Sequence, residues 1–63
     1  MKKKNKVEVL RLLSEGIPQT EIKDILGLSK GQVSKTRAWL VEEDYLTEKG
    51  EITVKGENFL RGN

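Results

Sequence analysis

Residues 19–38 constrain the fold of this chain most, because their polar and apolar residues recur as in two short helices joined by a tight turn. Gly27 stands where the first of these helices must end, and Leu28 places an apolar side chain inside the turn. Ser29 begins the second helix, since Gln32 three residues later completes a capping box. The apolar contacts between the two helices are expected from Ile22, Ile25, Leu26, Leu28 and Val33.

The outward side of the second helix carries no large apolar residue. It presents Lys30, Gly31, Gln32, Ser34, Lys35 and Ala38. A polar, basic face of this kind suits a helix that enters the major groove of DNA, where Lys and Gln match guanine and adenine edges. We therefore predict base contacts from Lys30, Gln32, Ser34 and Lys35. The alternative interpretation is a three-helix module whose polar face is only solvated.

A further helix is expected ahead of this motif. Asn5 can cap its start, and Gly16 can end it in the left-handed conformation. Its inner stripe comprises Val9, Leu10 and Leu13, with Val7 at the edge of that stripe. The lysines before it predict a basic arm over residues 1–4, which leaves residues 5–63 as one domain.

The periodicity changes after the second helix of the motif, which is expected to run from Lys30 to about Glu43. Residues 45–48 and 51–53 predict the two strands of a short hairpin. Thr53 can then cap a last short helix, although Gly56 inside it is unfavourable. The fold class predicted is mainly α, with a three-helix core, a two-stranded hairpin and a short C-terminal helix.

Composition excludes several classes of function. The chain has 63 residues, and neither cysteine nor histidine occurs in it. The usual zinc sites, Ser-His triads and Cys-His dyads are therefore excluded, and we expect no enzyme activity, no cofactor and no metal. No apolar run approaches the length of a membrane span. The expected location is the cytoplasm, in association with the nucleoid.

Charge is distributed unevenly along the chain. Residues 1–40 hold nine Lys and Arg against four Asp and Glu, whereas residues 41–63 hold three against six. This division suggests that one face meets a polyanion and another is turned away from it. The cations expected to hold DNA phosphates are Lys2, Lys3, Lys4, Lys6, Lys23, Arg37 and Lys49.

Trp39 and Leu12 lie off the main apolar stripes of their helices. One interpretation places the Trp39 ring over the first helix or the hairpin. The other makes both residues contacts of a homodimer, because tryptophan is enriched at interfaces. Phe59 and Leu60 are the next candidates for that interface.

Two segments resemble a known family. The recognition helix and first wing strand of MarR-like and PadR-like regulators resemble a segment of this chain made of residues 29–35, Leu40 and residues 45–47. The Thr-x-x-Gly segment of the same regulators is similar to residues 52–60. The resemblance covers residues 6–61 and implies a winged helix-turn-helix domain of the small archaeal, bacterial or mobile-element type. Asp44 stands where these proteins usually have glycine.

Together with the motif, the resemblance predicts a protein that binds double-stranded DNA sequence-specifically, a transcriptional repressor that acts as a homodimer. The chain resembles only the DNA-binding core of these regulators, so we expect it to sense no small molecule. Two other functions stay open. Winged-helix domains also serve as protein–protein adaptors in transcription and replication assemblies. A non-specific architectural DNA-binding protein is the second alternative.

Overall fold

The computed structural model describes residues 3–62, with the side chains of residues 5–62. Its helices are α1 (Lys3–Ser14), α2 (Gln19–Leu26), α3 (Lys30–Glu42) and α4 (Val54–Arg61). Helix α1 packs against the other three helices, and α2 also packs against α3. Within the described residues, none of the helices is long and apolar enough to cross a bilayer.

Helix α1 begins earlier than the sequence predicts. It starts at Lys3, so Asn5 lies inside its first turn and the predicted cap is wrong. Its end agrees with the prediction, because Gly16 has a φ of +86° and its N–H donates to the Leu13 carbonyl at 3.0 Å. Lys2 and the side chains of Lys3 and Lys4 lie outside the described part, so the proposed basic arm stays a prediction.

The two helices of the central motif form as predicted. Gly27 ends α2 with a φ of 67°, and its N–H donates to the Lys23 carbonyl. The capping box is complete, since the Gln32 N–H donates to Ser29 Oγ at 3.1 Å and the Ser29 N–H donates to Gln32 Oε1 at 2.9 Å. These local bonds fix where α3 starts and how it leaves the turn.

The core lies where α1, α2 and α3 meet. Its fully buried apolar side chains are Val9, Leu10, Ile22, Val33, Leu40 and Leu46. The prediction that Ile25 contributes to the contact between α2 and α3 is wrong, because its side chain is 57% exposed. It lies about 100° around α2 from Leu26, at the edge of the face that Ile22 and Leu26 turn inward.

The predicted two-stranded hairpin is wrong. In residues 3–62 there is no strand or sheet, only an isolated antiparallel bridge between Leu46 and Ile52. The Tyr45 and Leu46 N–H groups donate to the Leu40 carbonyl and so complete the end of α3. Thr53 already accepts the first bonds of α4. These backbone groups are hydrogen-bonded at the ends of α3 and α4, so they are not available for a longer strand ladder.

A tight turn replaces the hairpin tip. The Gly50 N–H donates to the Thr47 carbonyl at 2.9 Å, and the Thr47 N–H donates to the Glu51 carbonyl at 2.8 Å. Arg37 of α3 donates from Nη2 to the Glu48 carbonyl at 3.1 Å. A side chain of α3 therefore holds this turn against the helix.

Thr53 caps α4 as predicted, since its hydroxyl accepts the Gly56 N–H at 2.9 Å. The same hydroxyl donates to the Asp44 carbonyl. Gly56 is buried, and a Cβ there would overlap the Tyr45 carbonyl oxygen and approach Ile52 Cγ1 at 2.8 Å. The glycine that is unfavourable for helix formation is thus required by packing.

Asp44 has the left-handed conformation, with a φ of 64°. We expect Asp44→Gly to raise the free energy of unfolding by about 0.5–1 kcal/mol, because glycine adopts this conformation without a Cβ clash. Thermal unfolding followed by circular dichroism should show a higher melting temperature. Asp44→Ala is the control and should lower it, because alanine keeps the Cβ and lacks the short polar side chain that helps aspartate adopt the left-handed conformation. Similar shifts for both variants would contradict a conformational cause.

Candidate nucleic-acid interface

The outer face of α3 is polar and open. The predicted base-contacting residues Lys30, Ser34 and Lys35 are exposed along it. Gly31 is also exposed, and no atom lies within 4 Å of where its Cβ would be. Backbone and short side chains thus leave this part of the helix accessible to a large polyanion.

Two predicted base-contacting side chains are held by neighbours. Gln32 Oε1 accepts the Ser29 N–H in the capping box. Ser34 Oγ donates to Gln19 Oε1 of α2 at 3.2 Å. Both bonds are exposed, and they orient the two side chains before any ligand binds.

The predicted phosphate contacts are dispersed. Lys23 Nζ lies 3.0 Å from Asp24 Oδ1 in a solvent-exposed pair, which stabilises the fold little. Arg37 is half-buried and bound to the Glu48 carbonyl. Lys49 is exposed in the same turn, next to an acidic neighbour in the sequence. Sequence reasoning missed the structural role of Arg37, which depends on the fold of the turn.

Lys6 has a different environment. Its Nζ lies 4.2 Å from the centroid of the Trp39 ring. The two residues line a groove of about 300 Å³ together with Gln32, Lys35 and Thr36. Thr36 is buried and donates from Oγ1 to the Gln32 carbonyl at 2.8 Å. Predicted base, phosphate and interface residues therefore meet in one groove between α1 and α3.

The three aromatic residues of the chain form one cluster. Tyr45 and Phe59 are stacked with ring centroids 4.4 Å apart, and Trp39 lies 5.7 Å from Tyr45 and 6.5 Å from Phe59. Lys55 Nζ lies 5.0 Å from the Tyr45 centroid. The Trp39 ring thus contacts α1 and the segment after α3, as the first sequence interpretation has it.

The residues predicted for a dimer interface are Leu12, Trp39, Phe59 and Leu60. Each is half-buried and packs against the core. The most exposed large apolar side chains of the described residues are instead Ile25 and Val54.

Residues 7–62 match the family model described as wHTH-PRTase associated, in which wHTH stands for winged helix-turn-helix. The chain belongs to this family. No curated protein and no solved structure matches it significantly. The wHTH-PRTase associated match indicates a DNA-binding or regulatory module, and it does not assign the chain to the MarR-like or PadR-like regulators. In this member the wing is a turn closed by the single Leu46–Ile52 bridge.

Proposed function

We propose that this domain binds double-stranded DNA in a sequence-specific manner, with α3 in the major groove. The observation that carries the proposal is the exposed outer face of α3, where Lys30 and Lys35 flank an open Gly31. Membership of a winged helix-turn-helix family supports it. The role is binding and not catalysis.

The roles of the residues follow from their positions. Lys30 and Lys35 would contact guanine edges, and Gln32 and Ser34 would contact bases from side chains already oriented by α2 and the cap. The lysines of α1, Lys23 and Lys49 would hold phosphates. Arg37 would add positive charge while it keeps the turn in place.

Lys35→Ala should weaken binding to the preferred site by about 1–3 kcal/mol more than binding to random DNA, because a base contact discriminates by that amount. The preferred site is first selected from a random duplex library, and both affinities are measured at one salt concentration. Lys55→Ala is the matched control, since Lys55 belongs to α4 and its Nζ lies over the Tyr45 ring, away from the outer face of α3. An equal loss on both duplexes would exclude Lys35 from base recognition.

We further propose that the domain acts in the cytoplasm as a repressor. A homodimer would present two α3 helices to successive major grooves about 34 Å apart, and the bound dimer would block polymerase. Sedimentation of the protein with a palindromic duplex tests this assembly.

A regulatory protein–protein module is the second candidate. The family description couples the domain to PRTase. Acidic residues concentrate on the exposed end of α3 and the turn that follows it, at Glu42, Glu43, Asp44, Glu48 and Glu51. Such a surface suits a basic partner and not DNA. Steep salt dependence of duplex binding favours the first candidate, and equal affinity for all sequences indicates an architectural role.

A further inference from the structure

We propose that the groove between α1 and α3 binds one nucleotide, with its base on Trp39 and its phosphate between Lys6 and Lys35. This site goes beyond recognition of a closed duplex. The nucleotide is either an unpaired residue of a nucleic-acid strand or a free nucleotide, since both offer the same base and phosphate.

The base side of the site is the Trp39 ring. Tyr45 and Phe59 contact the indole at centroid distances of 5.7 and 6.5 Å, which fixes its orientation. The Lys6 ammonium lies over the ring at 4.2 Å from its centroid. A cation over a partly exposed ring is held more weakly than a stacked nucleobase, and the lysine side chain is flexible. A base can therefore take the place of the ammonium group.

The phosphate side is formed by two lysines. Lys6 and Lys35 line the same groove, and among the described residues none of those that line it is acidic. Two ammonium groups without a neutralising carboxylate make a positive concavity. A base that displaces the Lys6 ammonium group from the ring leaves Lys6 in the lining of the same groove, where the ammonium group would pair with the phosphate of that nucleotide.

Hydrogen-bonding groups lie beside the ring. Gln32 Oε1 already accepts the Ser29 N–H, so the donor that Gln32 offers to a base is its amide nitrogen. The volume of about 300 Å³ lies at the lower end of the range for ligand sites in proteins, which suits a single nucleotide.

Trp39 is the only tryptophan, so its fluorescence reports directly on the site. The protein is titrated with AMP, with a four-nucleotide deoxyadenosine oligomer, with ribose 5-phosphate and with a closed hairpin duplex. We expect saturable quenching by AMP or by the oligomer. An oligomer that binds about tenfold more tightly than AMP identifies a strand as the source, and equal affinities identify the free nucleotide.

Variants separate the groove from general charge. Lys6→Met and Lys35→Met should each weaken nucleotide binding about fivefold or more, whereas Lys55→Met should change it less than about twofold. Lys55 is the matched control, because its Nζ also lies over an aromatic ring, at 5.0 Å from the Tyr45 centroid, but outside the groove. All variants are compared after circular dichroism confirms their fold.

The proposal would be overturned by any of the following results: no saturable quenching by AMP or the oligomer, equal binding of ribose 5-phosphate, or an equal loss in Lys55→Met. Quenching by the hairpin duplex alone would also overturn it and leave duplex recognition standing. Nucleotide binding without any duplex binding would instead contradict the function proposed above.

Discussion

Replacing Gly56 by alanine is expected to unfold the domain or to remove most of its stability. A Cβ at this position overlaps the Tyr45 carbonyl oxygen and lies 2.8 Å from Ile52 Cγ1. The Tyr45 carbonyl cannot retreat freely, because it accepts the Thr53 N–H at 3.1 Å. Overpacking against backbone costs about 3 kcal/mol or more, against the roughly 3–5 kcal/mol that a core of this size supplies.

Gly31→Ala is the matched control for this experiment. Gly31 is also inside a helix, but nothing lies within 4 Å of the position that the alanine methyl group would take. Alanine there should stabilise α3 by up to about 1 kcal/mol, since glycine is a poor helix former. Urea unfolding followed by Trp39 fluorescence measures both variants. A Gly56→Ala protein as stable as the wild type would show that α4 does not pack closely on Tyr45.

The helix boundaries around the central turn were predictable because they depend on neighbours in sequence. Gly27 ends α2, and Ser29 with Gln32 caps α3, each through bonds that span at most four residues. Thr53 caps α4 by the same local chemistry. Short-range capping therefore transfers from sequence to structure with little dependence on the rest of the fold.

The wing was not predictable from local pattern. Residues 45–53 have the composition of a hairpin, but several of their backbone groups form hydrogen bonds with the end of α3 and the start of α4 instead. The requirement for glycine at position 56 arises from the close packing of the Tyr45 backbone against α4. Both the hydrogen bonds at the helix ends and the contact of Gly56 with Tyr45 depend on how the elements are placed in space, which the local sequence pattern does not specify.

The candidate site was also only partly predictable from the sequence. The outer face of α3 follows from helical periodicity, so the exposure of Lys30 and Lys35 was predicted correctly. The groove was not, because it joins Lys6 of α1 with Trp39 of α3. The position of Trp39 beside its apolar stripe was a signal, but it left two interpretations open. Packing of α1 on α3 decides which contacts the ring makes within one chain.

Leu40→Ala is the second substitution expected to have a large effect. Leu40 is fully buried in the core between the helices. Its removal leaves a cavity, and a buried Leu→Ala change costs about 2–5 kcal/mol. That loss equals most of the stability expected of so small a core. Thermal unfolding should therefore lose its cooperative transition near the wild-type temperature.

Val54→Ala is the control, because Val54 is 74% exposed at the start of α4 and its truncation should change stability by less than about 0.5 kcal/mol. Leu40 and the proposed DNA-contacting residues belong to the same helix, so one helical phase decides both. If Leu40→Ala unfolds cooperatively at the wild-type temperature, Leu40 is not at the centre of the core. The face with Lys30 and Lys35 would then be rotated as well, and the base contacts assigned to it would have to move to other residues of α3.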